Sequence, residues 1–516
     1  MIPPPAVEIA VLVLGMLILM FETFAPTIDK RFIGLIAIVG LLAVLAATFR
    51  LAQGPATGSA LGFWSFYAAD PLAIFFKRFS LVTTIFVLVM MIDYAPVVRA
   101  SLPAATSQAG FGEFITLPIF TCAGLMYLVS AVDLVMIFVS LELVTISFYV
   151  LVSLTRRNPV TLEAGVKYLI LSAMSTGFIV YGITWIFGVT NQTNLQRIGL
   201  ALSDARLDRS AALFGVVLLF VGLGFKIAAV PFQIWVPDVY QGAPTPVTAF
   251  LSVGSKAAGF VVLLRVLQPF LILPNLGRML ILIALLTLIY GNLAALPQNN
   301  LKRLLGYSSI AHAGYLMIGV ACLDGRAVTF YLVAYLLMTL LSFAVLVIVA
   351  QHTGERIEDF DGLAQRSPFL AFAMLIAMAS LAGVPLTVGF FGKFLIFMAA
   401  IAQHQTALII VGTIGVACGF YYYLKVVRAM YWEQTANVDR IPISGLSRLA
   451  MSILIVGIIS LGIYPQPILK ALKPKGVRVM LTAATPFQSE APIPKSKLQG
   501  NINNQIPKSY GARLGI

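Results

Sequence analysis

GFKIAAVPFQIWVPDVYQGAPTPVTAFLSVGSKAAGF, residues 224–260, sets Lys226 and Lys256 in apolar sequence on either side of four prolines, Pro231, Pro237, Pro244 and Pro246. A proline offers no N–H to the carbonyl four residues earlier, so a helix running into Pro231 leaves the Ile227 carbonyl without its partner. Broken backbone at membrane depth is tolerated only where it is buried in protein or lines a wet cavity. A second interruption follows at Gly383-Val384-Pro385, with Gly389, Gly392 and Lys393 just beyond, and it strips the Leu381 carbonyl in the same way. The two flanks also align, KIAAVPF at 226–232 with SLAGVPL at 380–386. Paired interrupted helices in two halves of a chain point to a transport site between repeats.

The rest of the chain supplies the membrane context. Of 516 residues, 60% are hydrophobic and only 10% charged, against about a quarter charged in soluble domains. At about 20 apolar residues per crossing, spans fall near 6–24, 32–50, 71–92, 114–131, 133–154, 164–188, 210–230, 247–270, 276–296, 304–323, 327–350, 368–403, 407–432 and 446–470. The expectation is an all-α polytopic membrane protein of about fourteen transmembrane helices. The first run carries no basic n-region and no small-residue cleavage site, so it reads as a retained helix rather than a signal peptide. The net charge of +14 sits in short loops such as Asp29-Lys30-Arg31, Arg156-Arg157 and Lys302-Arg303, and in the tail. That placement is topology information rather than a nucleic-acid footprint, and by the positive-inside rule it puts the N-terminus outside. The basic tail runs against this trend.

Four ionisable residues stand well inside spans: Glu142, Lys226, Lys256 and Lys393. Each costs about 2.5–3.5 kcal/mol to insert at a helix centre. Burial favours the neutral form of an amine, and a nearby carboxylate restores the charged one. A lysine poised between the two can load and release a proton. The plainer reading of each lysine is snorkelling from a helix end, and that of Glu142 is a neutral, hydrogen-bonded acid. His312, about two turns into its span, reads either as a relay between the halves or as a satisfied core residue. Lys167 and Glu163 have the spacing of an i,i+4 pair. Asp133 reads as a helix N-terminal acid. Lys77-Arg78 and Lys425 with Arg428 read as interfacial or partner-facing charges. Cys122, Cys322 and Cys418 lie in apolar runs without CxxC spacing, which indicates neither a metal site nor disulfides. No GxGxxG, Walker or iron–sulfur pattern is present, so the chain itself carries no legible redox chemistry.

The stretch 224–260, together with QNNLKRLLGYSSIAHAGYLMIG at 298–319 and SLAGVPLTVGFFGKF at 380–394, resembles the antiporter-like subunits of respiratory complex I. It is most similar to the N type, called subunit 2 in mitochondria, over about residues 113–432. The resemblance implies two inverted five-helix repeats, each with one broken helix, at 113–270 and 276–432. Around them it leaves transmembrane helices 1–3 in 1–112, a last helix at 446–470 and an extended, partner-facing tail at 471–516. It implies a proton path in which Glu142 and Lys226 form a pair, Lys256 connects, His312 relays and Lys393 is terminal. It further implies a proton-translocating subunit of an NADH:quinone oxidoreductase with no cofactor of its own, the FMN, iron–sulfur clusters and quinone lying on partner subunits. The expected partners are neighbouring antiporter-like and small membrane subunits and the lipid bilayer, with no nucleic acid. The expected location is a bacterial plasma membrane, with mitochondrial inner and thylakoid membranes as alternatives. The competing functions are a subunit of a multi-subunit cation/proton antiporter and the homologous subunit of a photosynthetic plastoquinone complex.

Overall fold

In lipid every backbone N–H and C=O needs an internal partner, so a chain this apolar must be helical wherever it spans. The computed structural model describes residues 3, 5–24, 30–51, 66–101, 111–155, 157–204, 206–433 and 439–471. Asp29, Arg156 and the tail from 472 onward, with its expected extended form, lie outside the described residues. The helices are α1 (Ala6–Phe24), α2 (Lys30–Ala47), α3 (Pro71–Ser101), α4 (Phe111–Ser130), α5 (Leu134–Val152), α6 (Pro159–Thr190), α7 (Leu195–Leu202), α8 (Arg209–Ile227), α9 (Val236–Gly242) and α10 (Thr245–Phe250). The second half holds α11 (Lys256–Leu267), α12 (Leu276–Ala295), α13 (Leu301–Ala321), α14 (Gly325–Ala350), α15 (Leu363–Arg366), α16 (Pro368–Ala382), α17 (Val388–Ala402), α18 (Thr406–Trp432), α19 (Gly445–Ile463) and α20 (Gln466–Ala471). No strand occurs among the described residues, only isolated bridges such as Tyr67 with Ala131.

Thirteen of the described helices are long and apolar enough to cross a membrane, with 245–270 counted as one. The expected single crossing at 368–403 is instead two 15-residue half-helices, α16 and α17. Together they make the fourteenth crossing, because neither half alone reaches the roughly 20 residues a span needs. The expected last helix at 446–470 also divides, with α19 ending at Ile463 and α20 beginning after Pro465. Helix starts follow the side chains that cap them. Asp133 accepts from Val135 N at 2.9 Å at the head of α5, as its position predicts. Asn158, Asp208, Asn300 and Asp324 do the same for α6, α8, α13 and α14, satisfying N–H groups that have no partner within the helix.

Both interruptions end their helix in the same way. Ala228 at the end of α8 and Gly383 at the end of α16 take left-handed backbone, φ 63° and 91°. The next N–H then reaches back to the carbonyl five residues earlier, Ala229 to Gly224 and Val384 to Ala379. This is a Schellman closure. The structural equivalence therefore pairs Ala228 with Gly383, one residue off the alignment of KIAAVPF with SLAGVPL. Backbone geometry, rather than the Val-Pro identity, decides the register. The second break also needs Gly389, where a Cβ would come within 1.9 Å of the Ser380 carbonyl oxygen.

Candidate functional site

The three span lysines and the histidine are all buried, at 4% exposure for Lys226, 2% for Lys256, 5% for Lys393 and 2% for His312. None of the lysines snorkels, since each ends on partners inside the bundle.

Lys226, in the last turn of α8, donates to Thr145 Oγ1 and Ser172 Oγ, each at 2.8 Å. Glu142 stands one turn before Thr145 on α5, and its Oε1 accepts from Thr176 Oγ1 at 2.8 Å. Thr176 is one turn beyond Ser172 on α6. Two hydroxyls on each helix thus bridge the carboxylate to the ammonium. No direct ion pair joins Glu142 to Lys226 among the described residues. Glu142 is only half-buried, and it shares a stripe of α5 with the exposed Val135, Val139 and Ile146. It lies at the rim of the bundle, not in its centre.

Lys256 opens α11 immediately after a π-helical turn at Leu251–Ser255, the kind of irregularity that recurs at functional sites. Its ammonium donates to the Ser309 carbonyl at 2.7 Å and to the Ser309 hydroxyl, and it lies 5.7 Å from the Tyr335 ring centre. The Ser309 hydroxyl also meets Tyr240 OH at 3.1 Å. His312, one turn on along α13, bonds through both ring nitrogens: Nδ1 to Tyr331 OH at 2.7 Å and Nε2 to Tyr423 OH at 3.1 Å. Tyr423 OH in turn bonds Ser308. The imidazole is therefore a satisfied core group that also stands within electrostatic range of Lys256 and Lys393.

Lys393, on α17, donates to the carbonyl oxygens of Leu381 at 2.9 Å and Ala382 at 2.8 Å. These are the carbonyls freed at the end of α16. At the first break the indole of Trp235 serves this purpose, its Nε1 donating to the Phe225 carbonyl at 3.0 Å. Lys393 also lies 5.2 Å from the Tyr315 ring centre.

Sequence reasoning missed the buried tyrosines around His312, namely Tyr315, Tyr331, Tyr335 and Tyr423. Their i,i+4 recurrence inside otherwise aliphatic spans was the available signal. It also misplaced Lys77. Far from facing a partner, Lys77 is fully buried and pairs with Glu8 at 2.8 Å. Arg78 does stay near the edge, donating to Thr48 Oγ1 at 3.1 Å and lying over Phe49. Lys302, read as a loop charge, is buried as well. It donates to the Ala243 carbonyl at 2.8 Å and pairs with Glu355 at 3.1 Å. Lys167 pairs with Glu163 as expected and also with Asp238, both at 2.7 Å. Arg303 holds the other oxygen of Asp238 at 2.8 Å. The cysteines are free, Cys122 and Cys322 buried and Cys418 partly so.

Residues 131–419 match the family described as NADH:quinone oxidoreductase/Mrp antiporter, transmembrane. Curated relatives named NADH-quinone oxidoreductase subunit N include that of Desulforamulus reducens, 37% identical over 468 residues, covering 89% of this chain and 95% of the relative. That of Trichlorobacter lovleyi is 37% identical over 476 residues, covering 90% and 94%. These alignments run well past the expected 113–432. Among solved structures, a chain of respiratory complex I from Thermus thermophilus with bound aureothin has a TM-score of 0.75 at 30% identity, over 90% of this chain and 98% of that one. A chain of the archaeal membrane-bound sulfane sulfur reductase has the same fold, with a TM-score of 0.78 at 23% identity over 90% and 96%. The broken helices, the lysines beside them and these likenesses agree: the chain belongs to the NADH:quinone oxidoreductase/Mrp antiporter membrane family, and within it to the subunit N group.

Proposed function

We propose that the chain is the proton-translocating membrane subunit of an NADH-quinone oxidoreductase, in which Glu142, Lys226, Lys256, His312 and Lys393 carry the proton. The observation behind this reading is the chemistry around the three lysines. Among the described residues, Lys226, Lys256 and Lys393 have only hydroxyl and carbonyl partners and no carboxylate within ion-pair distance. Lys77, Lys167 and Lys302 are all paired to acids. A carboxylate partner holds an ammonium charged, whereas a hydroxyl serves either protonation state, accepting from an ammonium or turning to donate to a neutral amine. Two hydroxyls hold Lys226, one hydroxyl and one carbonyl hold Lys256, and two carbonyls hold Lys393.

In this mechanism a charge arriving beside the rim carboxylate Glu142 acts on Lys226 through the four-hydroxyl bridge. The proton released there passes to Lys256, through the Ser309–His312–tyrosine cluster, and on to Lys393. Redox chemistry takes place on partner subunits, which in this reading hold the FMN, iron–sulfur clusters and quinone. The two inverted repeats, 113–270 and 276–432, supply one half-channel each. The bacterial curated relatives support a bacterial plasma membrane as the location.

The test is the purified assembly in proteoliposomes, with quinone reduction and lumen acidification measured together. Lys226→Ala is expected to abolish most acidification. Wild-type pumping in that variant would overturn the reading, and copurification with small antiporter subunits instead of flavin and iron–sulfur partners would replace it with cation/proton exchange.

A further inference from the structure

We propose that Glu8, Lys77 and Tyr67 form a second proton-exchanging site, outside the central lysines, with access from the membrane surface through Asp70 and Arg265. The proposal rests on the reading of the chain as a proton-translocating subunit.

The Glu8 and Lys77 side chains are both fully buried and 2.8 Å apart. Glu8 Oε1 receives the Lys77 ammonium and also the Tyr67 hydroxyl, the latter at 2.8 Å. Lys77 also meets the Tyr67 oxygen. All the donors crowd onto one carboxylate oxygen. The other, Oε2, is buried with no hydrogen-bond partner. A buried ion pair that serves only structure is expected to have both oxygens satisfied, since an unmet acceptor adds to an already large desolvation cost. An open carboxylate oxygen is where a proton, or the water that delivers it, binds.

The site also has a way out. Asp70 precedes α3 and lies two turns from Lys77 on the same helical face, the i,i+7 spacing. It pairs with Arg265 at 2.7 Å, and both side chains keep partial exposure, 17% and 10%. Arg265 is in the last turns of α11, the helix that Lys256 opens, so charge at the pair is mechanically tied to the central path. The other titratable groups facing the site are Tyr127 and Cys122 of α4.

The step is a proton exchange without redox change. The Lys77 Nζ–H bond breaks as an O–H bond forms on the Glu8 carboxyl, leaving a neutral amine and a neutral acid. A proton entering past Asp70 restores the ammonium, and the acid releases its own proton from the Oε2 side. One proton enters and one leaves.

Two variants of the whole assembly in proteoliposomes test this, with Lys226→Ala run in parallel. Lys77→Arg keeps the charge and the ion pair, but a guanidinium does not give up a proton. Glu8→Gln with Lys77→Met removes both charges, a change that buried pairs often tolerate in stability. The expected result is an assembled complex whose coupled pumping falls about tenfold or more in both variants, the scale of losing a positioned proton-transfer group. Normal pumping in Lys77→Arg, whatever the double variant does, overturns the proposal and leaves a structural clamp. If Lys226→Ala also pumps normally, the failure belongs to the parent reading and not to this site.

Discussion

Lys393 on α17 caps the carbonyl of Leu381 on α16, 2.9 Å across the second break. One side chain thus repairs the backbone interruption and holds a charge at membrane depth. The negative end of a helix favours a cation, so the half-helix and the lysine stabilise each other.

Lys393→Met is therefore expected to weaken the structure as well as the function. It leaves the Leu381 and Ala382 carbonyls unmet in a dry interior, at about 1–3 kcal/mol for each buried acceptor. Thermal unfolding of the assembly should begin at lower temperature. Lys393→Arg should restore much of the stability and none of the pumping. Equal stability of Met and wild type would show that the cap is dispensable.

The hydroxyl bridge gives a second expectation. Thr145→Val and Ser172→Ala each remove one hydrogen bond to a charged group, worth about 1.5–3 kcal/mol, and the double change removes both acceptors of Lys226. Pumping should fall in each single variant and further in the double, while Thr176→Val should mimic a weakened Glu142. Lumen acidification per quinone reduced is the measurement, and an unaffected double variant would detach Glu142 from Lys226.

His312 is separable as relay or core residue through its tyrosines. Tyr423→Phe removes the partner of Nε2 and of Ser308 while keeping the ring packed. A relay predicts slower pumping at unchanged assembly. A packing role predicts wild-type pumping in Tyr423→Phe and loss of assembly only in His312→Ala, as followed by blue native gel electrophoresis.

Asp70 sets a pH limit at one surface of the bundle. Burial opposes its charge, but the Arg265 guanidinium and the Ala73 N–H hold its carboxyl below the usual carboxylate range. A lowered carboxylate contributes stability above its unfolded value, about pH 3.9, and loses it as pH falls through the folded value. Asp70→Asn should destabilise the assembly near pH 7 and flatten the acid limb of its stability profile. An unchanged acid limb in that variant would assign acid sensitivity elsewhere.

Much of this protein was legible in its sequence because lipid leaves a chain few choices. Apolar length alone places the spans, and a proline next to an intramembrane lysine marks a break that must be offset locally. Lys226, Lys256 and Lys393 were visible as charges that cost too much to be incidental. The cap role of Asp133 and the Glu163–Lys167 pair followed from local spacing.

What the sequence could not determine is which distant atoms answer each charge. Lys77 and Lys226 both stand inside apolar runs, yet Lys77 meets Glu8, 69 positions earlier in the numbering, and Lys226 meets hydroxyls on two other helices. Whether an ammonium is pinned by an acid or left free to exchange its proton depends on partners brought together only by helix packing. The register of the two breaks was also set in three dimensions, by left-handed closure at Ala228 and Gly383. Hydrophobic length is a property of contiguous residues, so the spans can be read in one dimension. Charge compensation and backbone closure depend on distance in space, so only the folded bundle decided them.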